Sequence, residues 1–207
     1  MEVFRQVAAA FGRRGVPKGM EDRVPPGQYV TPKMPVMSMW PTPHIDLATW
    51  RLRLFGEVER ETELTWAEWE TLAQIEVTAD FHCVTQWSRL NVGWEGVPAS
   101  RVLELAQPKA SARFVMLHCY DGYAANIDID ALRSPDVLFA HRMDGAPLEG
   151  QHGGPLRLVV PSRYGWKSAK WVSGVEFLTE DSPGFWEELG YHMRGDPWRE
   201  ERFRGWR

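Results

Sequence analysis

The sequence predicts a strand-rich α+β fold with short helices set between the strands. Two patterns carry this reading. Apolar and polar residues alternate with a period of two in several short runs, as half-buried strands require. The helical signals are genuine but brief, and Gly, Pro and Asp-Gly steps interrupt the chain too often for long helices. A chain of 207 residues with 43% hydrophobic and 25% charged residues is long enough for one domain with a sizeable core.

The elements follow in chain order. Residues 1 to 45 are rich in Pro, Gly and Met, and Pro25-Pro26-Gly27, Pro32, Pro35, Pro41 and Pro43 exclude a regular helix there. Residues 1–40 therefore read as an extended arm and 41–207 as the body. Trp50, Leu52 and Leu54 alternate with Arg51 and Arg53 and end at Gly56, which predicts a strand and a turn. Thr65-Trp66-Ala67-Glu68 has the capping-box pattern and starts a short helix reaching Leu72. Residues 74–82 form a strand that leads to Cys83. Pro98 to Ala106 reads as a second helix. Arg113 to Tyr120 and Tyr123 to Ile129 read as a hairpin turning at Asp121-Gly122. Ser134-Pro135 is expected to begin another short helix, with serine as cap and proline in the first turn. Leu156 to Val160 and Lys170 to Leu178 are strands. The tail from Pro183 to Arg207 carries five arginines and three tryptophans and is expected to wrap back onto the surface.

Composition also excludes functions. The net charge of -4 gives no global basic field, so nucleic acid is not an expected partner. The sequence has no apolar run of the length a transmembrane helix needs. Met1 to Gly15 is amphipathic and ends near Arg13-Arg14, without the apolar core and cleavage site of a secretory signal, so the cytoplasm is the expected location. The two cysteines do not make a disulfide framework.

Cys83 is the most informative residue. It closes an alternating stretch and precedes a turn, where a thiolate is held rigidly and faces a cleft. Three readings compete with a metal-ligand role. Free cysteines are commonly buried structural residues. A catalytic thiol would need a nearby cation or histidine, yet His82, adjacent in a strand, points to the opposite face. Zinc is suggested by His82-Cys83 and His118-Cys119, but each pair offers one ligand per face and no Cys-x-x-Cys or His-x-x-x-His spacing supports it.

Two further segments bear on the choice. His152-Gly153-Gly154-Pro155 forms a tight turn before Arg157, a cation entering an apolar strand, where an anionic partner is expected. That partner is either a ligand or one of the chain's own carboxylates. Tyr164-Gly165-Trp166-Lys167-Ser168-Ala169-Lys170 sets two lysines and a hydroxyl beside backbone N–H groups, the parts of a phosphate cradle or of a solvated basic loop.

Taken in order, a strand ending in cysteine, His-x-x-x-x-Arg and Gly-x-Lys-Ser-x-Lys resemble the molybdopterin-binding domain of sulfite oxidase and of the methionine sulfoxide reductase catalytic subunit. The likeness is nearest to small bacterial sulfite oxidase-like oxidoreductases. It runs from Pro41-Thr42-Pro43-His44-Ile45-Asp46 to Tyr191 and implies a sulfite oxidase-type fold with molybdopterin as cofactor. It makes Cys83 the one protein ligand of molybdenum, because the pterin dithiolene supplies two other sulfurs. It matches His152 and Arg157 to pterin and phosphate contacts, and Ser168, Ala169 and Lys170 to the loop holding the phosphate end. Cys119 or Asp121 falls near another cofactor contact. Met37-Ser38-Met39 stands where sulfite oxidases have Arg-Asn-His, which places Ser38 and Met39 at the cofactor but points away from sulfite. Tyr191, 21 residues after Lys170, sits at the spacing of the active-site tyrosine. Trp87-Ser88 looks like the methionine sulfoxide reductase subunit. Arg89 is the one arginine left where sulfite oxidases carry consecutive ones, and the candidate for an anionic substrate group.

The implied activity is oxygen-atom transfer on a small sulfur- or nitrogen-oxide substrate. The alternatives are a molybdopterin-binding or carrier protein without turnover, and a cofactor-free thiol enzyme. No Cys-x-x-Cys-His haem motif is present, so a separate electron-transfer protein is implied, and without the family's dimerisation domain a monomer is expected.

Overall fold

Two mixed β-sheets organise residues 16–205, the part of the chain that the computed structural model describes. The amphipathic segment Met1 to Gly15, with Arg13-Arg14, and the last two residues lie outside the described residues. In the first sheet, β1 (Tyr29–Val30), β5 (Trp87–Pro98), β8 (Leu138–Met143) and β10 (Arg157–Val159) lie side by side; β4 (Ile75–His82) also pairs with β5, and β9 (Ala146–Pro147) with β8. In the second, the order is β3 (Thr62–Thr65), β2 (Arg51–Gly56), β11 (Val172–Leu178), β6 (Phe114–Cys119) and β7 (Ala124–Asp128). Three short helices, α1 (Trp66–Glu70), α2 (Ala99–Ala106) and α3 (Phe185–Glu188), sit between or after strands.

Local chemistry explains the elements that were legible. Thr65 caps α1: its hydroxyl accepts from the Glu68 N–H at 3.3 Å while Glu68 accepts from the Thr65 N–H at 2.8 Å. Leu52 and Leu54 of β2 are fully buried, whereas Arg53 between them is exposed. The β6–β7 hairpin turns at Gly122, whose φ of +83° favours glycine.

Alternation also divides the core. Phe139 of β8 and Leu158 of β10 join a main core with Leu52, Leu54, Leu117, Val175 and the inner face of α2. Their neighbours Leu138, Ala140 and Val159 face the other way, into a smaller core with Phe81, Cys83, Trp87 and Trp94. Arg157, two residues before Val159, enters on that same side. The site therefore grows from the smaller core.

Two expectations need revision. No helix begins at Ser134-Pro135; a single 3-10 turn, Ala131–Arg133, precedes it, and Ser134 is already extended. Asp128 accepts from the Ala131 N–H at 2.9 Å, and the Ser134 hydroxyl bonds Asp136 instead of capping a helix. The following residues are drawn into β8 by pairing with β5 and β10. The second revision is β5 itself. Its Gly93 and Gly96 weaken the strand signal, yet it is the longest strand among the described residues. Gly96 lies where the register shifts against β8, and a β-carbon there would stand 2.1 Å from the Phe139 carbonyl oxygen.

Gly96→Ala should accordingly cost about 3 kcal/mol, since the neighbour is backbone and cannot yield. Gly93→Ala, whose β-carbon would meet nothing nearer than 3.7 Å, should change stability by less than about 1 kcal/mol. Urea denaturation midpoints of the two variants check both values.

Candidate functional site

Cys83 occupies the turn that joins β4 to β5. The turn is closed by the Cys83 N–H to the Trp87 carbonyl at 2.9 Å and the Gln86 N–H to the Cys83 carbonyl at 3.0 Å, with Gln86 at a φ of +74°. His82 points away, as strand alternation requires. Its Nδ1 lies 2.8 Å from the Ser88 hydroxyl. Burial pushes its pKa down to about 4, so it is neutral at pH 7 and does not activate the thiol. The Cys83 sulfur is buried and accepts a hydrogen bond from the Thr85 hydroxyl at 3.2 Å. Burial raises the thiol pKa, while the Thr85 hydroxyl, the Thr85 and Val84 N–H groups and the Arg202 charge pull it the other way.

Both ends of the described chain grip this turn. From the arm, Gln28 Nε2 donates to the Cys83 carbonyl at 3.1 Å, and β1 runs parallel to the first residues of β5. From the tail, Arg202 Nη1 donates to the Val84 carbonyl at 2.5 Å. Its guanidinium lies over the Tyr164 ring at 4.9 Å.

A cavity of about 470 Å³ opens beside Cys83. Its wall brings together arm residues Met37, Ser38, Met39 and Trp40, the turn residues Cys83 and Thr85, Asp121 and Tyr123, then His152 and Arg157, Ser168 to Trp171, and Trp186 and Tyr191 from the tail. Arg157 is its most telling group. The guanidinium is buried and has no carboxylate partner among the described residues. It donates to the His152 and Ser168 carbonyls at 2.9 and 3.0 Å and packs 5.2 Å from both the Phe81 and Trp94 rings. Its Nε is buried with no hydrogen-bond partner. Desolvation brings its pKa down to about 10, so it stays charged. Gly153 allows the close packing here, for a β-carbon would lie 2.9 Å from Lys170 Cγ and 3.1 Å from Arg157 Cβ.

Lys170 stands beside it. Its ammonium donates to the Met37 and Gln151 carbonyls at 2.8 and 3.1 Å, and burial, then the Arg157 charge, brings its pKa down to about 8. The His152 ring is lowered for the same two reasons. The Ser168 hydroxyl accepts from the Val160 N–H at 3.0 Å, and the Ala169 carbonyl accepts from Leu158, which fixes the loop on β10. Tyr191 is buried between Trp166 and Trp186, ring centroids 5.1 and 4.9 Å away. Burial, then the nearness of Cys83, raises its phenol pKa.

The sequence-derived residues are not all gathered. Cys83, Ser38, Met39, Asp121, His152, Arg157, Ser168, Ala169, Lys170 and Tyr191 line the cavity. Cys119 lies in the main core, and Arg89 is ion-paired with Asp144; neither is on the cavity wall. The two lysines of the loop also separate. Lys167 is buried against Glu187 at 2.6 Å and the Asn126 side chain at 2.6 Å, so it anchors α3 and does not serve a phosphate. Sequence reasoning missed Thr85, Tyr123 and Trp166. Only Thr85 had a usable signal, a hydroxyl two residues past the cysteine in a turn.

Comparison with known proteins decides the family. Residues 39–186 match the oxidoreductase molybdopterin binding domain. The chain belongs to that family. It is 43% identical over 182 residues to the uncharacterized oxidoreductase YuiH of Bacillus subtilis, covering 87% of this chain and 92% of YuiH. It is 28% identical over 192 residues to the protein-methionine-sulfoxide reductase catalytic subunit MsrP of Campylobacter jejuni, with 82% and 64% covered. Sulfite oxidase of Arabidopsis thaliana is 30% identical over 189 residues, with 74% and 48% covered. The fold is shared with the sulfane dehydrogenase SoxCD of Paracoccus pantotrophus at a TM-score of 0.63 and 20% identity, over 84% of this chain and 52% of that one. The chain thus spans almost all of YuiH but only about half to two thirds of the other three. The strand-rich sulfite oxidase-type fold, the molybdopterin cofactor and the oxidoreductase class expected from the sequence all stand.

The cavity suits that cofactor on its own chemistry. A phosphorylated pterin is suited by a buried cation that has no carboxylate partner, and Arg157, with its unpartnered Nε, has none among the described residues. A metal that arrives with two sulfurs needs few protein donors. Among the described residues no cluster of three or more His, Cys, Asp or Glu is placed to hold a metal, and one thiol lines the cavity.

The wall behind the cavity rests on Lys167 and Glu187, which also accepts from the Trp166 indole N–H at 2.6 Å. Lys167→Met should lower stability by about 3–5 kcal/mol, because it strands a buried carboxylate. Adding Glu187→Gln, which keeps an acceptor for Trp166, should restore part of the loss. Chemical denaturation of the single and double variants measures this coupling.

Proposed function

We propose that this protein is a molybdenum-dependent oxidoreductase that transfers an oxygen atom to or from a small sulfur- or nitrogen-oxide substrate, with Cys83 as the one protein ligand of the metal. The observation that carries the reading is a single thiol in a cavity whose buried arginine has no carboxylate partner among the described residues. Molybdopterin, when bound, supplies the redox-active metal and the exchange of oxygen with substrate.

The chain's own residues do the rest. Arg157, Lys170 and His152 form the cationic end of the cavity and are assigned to the phosphate and pterin; Ser168 and Ala169 hold the loop that presents Lys170. Cys83 is kept in register by the arm and the tail. Phe81, Trp87, Trp166 and Trp186 exclude water from the thiol's surroundings, which strengthens electrostatic interactions there. Tyr191, whose phenol stays protonated across the neutral range, is assigned to hydrogen-bond the oxygen being transferred. Arg89, held by Asp144, takes no part in this assignment.

Each oxygen atom transferred moves two electrons, so turnover needs an electron partner. A separate electron-transfer protein is the proposed source; the MsrP relative is itself named a catalytic subunit. Substrate oxidation and reduction use the same groups, and the partner's potential sets the direction.

Cys83→Ser should retain pterin within about twofold yet lose turnover at least 100-fold with a dye as electron carrier. Full turnover of S- or N-oxides by this variant would sink the reading. Assays pair metal and pterin analysis with sulfite, sulfoxide and N-oxide kinetics.

Arg157→Met should weaken pterin retention at least tenfold, about 1.4 kcal/mol. Lys170 adds a pH dependence. Its ammonium is charged below about pH 8 in the apo-protein and neutral above it. Binding of the phosphorylated pterin should therefore weaken as pH rises from 7 to 9, and Lys170→Met should flatten that profile. Pterin fluorescence after dialysis at each pH reads both effects.

A further inference from the structure

The turn after Cys83 does more than present a thiol. Thr85 folds back so that its hydroxyl sits 3.2 Å from the Cys83 sulfur, on the cavity wall and almost fully buried. The sulfur is the acceptor, because the hydroxyl carries the better donor proton. The placement is not accidental freedom of a loop. Backbone bonds from Cys83 to Trp87 and from Gln86 to Cys83 fix the turn, and Gln28 and Arg202 hold its carbonyls from either side. A β-branched side chain has few χ1 options in a fixed backbone, so the hydroxyl direction is set with the turn.

We propose that Thr85 is a positioning residue that raises the reduction potential of the metal centre by donating a hydrogen bond to the Cys83 sulfur. The inference rests on Cys83 being the metal's ligand. A hydrogen bond to a ligating sulfur withdraws electron density from it and is strongest when the centre is electron-rich. It therefore stabilises the reduced state over the oxidised one, as hydrogen bonds to cluster sulfurs do in iron–sulfur proteins. The desolvated surroundings provided by Phe81 and Trp87 enlarge the effect, since little water is present to replace the donor.

The test uses the loaded holoenzyme of the natural chain and of Thr85→Val, Thr85→Ser and Cys83→Ser, with metal and pterin content measured first. Redox-dye titration gives the one-electron midpoint, and the visible spectrum gives the sulfur-to-metal charge-transfer band. Thr85→Val, nearly the same shape, should shift the reduction equilibrium about tenfold toward the oxidised state, a midpoint about 59 mV more negative. The charge-transfer band should move to longer wavelength. Thr85→Ser should return most of both shifts. Where valine prevents loading, Thr85→Ala makes the same comparison with room to spare. A valine or alanine variant with the natural midpoint overturns the proposal, as does a serine variant displaced as far as valine. The ligand assignment fails separately: a visible charge-transfer spectrum of the loaded enzyme that Cys83→Ser leaves unchanged removes the reading beneath the proposal and leaves Thr85 without a metal to tune.

Discussion

A buried guanidinium with no carboxylate beside it among the described residues is the constraint from which the site follows. Moving a cation out of water is costly, and a fold tolerates it only with compensation. Arg157 is given two backbone carbonyls and two aromatic faces. The carbonyls accept from two of its three nitrogens, and nothing among these contacts neutralises its charge. The consequence is a cavity that is positive at one end, in a chain whose net charge is -4. The features around it make sense as its supports: the Gly153 approach, the Ser168 carbonyl turned inward, and the β10 strand that delivers Arg157 to the smaller core.

The cysteine end is built by a different device. The Cys83 turn is short, and a two-strand connection alone would not hold a sulfur rigidly against a cavity. The fold adds grips from distant parts of the sequence, Gln28 from the arm and Arg202 from the tail, 55 and 118 residues away from the groups they hold. These contacts explain why a segment rich in Pro and Gly, with almost no regular structure, is well packed around Tyr29. They also explain why the tail returns past the site, carrying Tyr191 onto the cavity wall as it does so.

How much of this was legible depends on whether the cause was local. The α1 capping box, the Asp121-Gly122 hairpin and the opposite facing of His82 and Cys83 depend on neighbouring residues, and the sequence shows them directly. Strand β5 did not stand out because Gly93 and Gly96 carry turn chemistry that pairing in the sheet overrides, and β8 was masked by the helix-start pattern of Ser134-Pro135, which instead closes a turn from the Val137 N–H to the Ser134 carbonyl at 3.1 Å. Lys167 was misread for a related reason. Its loop has the composition of a phosphate cradle, but its partner Glu187 is supplied by α3, and no spacing announces that. The Thr85 hydroxyl was legible as a residue type two positions past the cysteine, but its direction, set by the turn's closure, was not.

The buried cations show the division of labour most clearly. Four are buried among the described residues: Arg157, Arg163, Lys167 and Arg202. Arg163 pairs with Asp128 at 3.0 Å and Lys167 with Glu187 at 2.6 Å; both are structural and neutralised. Arg157 and Arg202 have carbonyls and aromatic rings but no carboxylate within ion-pair distance among those residues. Those two flank the cavity, one on its wall and one reaching the Cys83 turn. If their role were only to fasten loops, a neutral amide donor would serve at far smaller desolvation cost. A buried charge on the cavity wall suits a negative guest, which is why the proposed reading gives the cofactor's phosphate to Arg157.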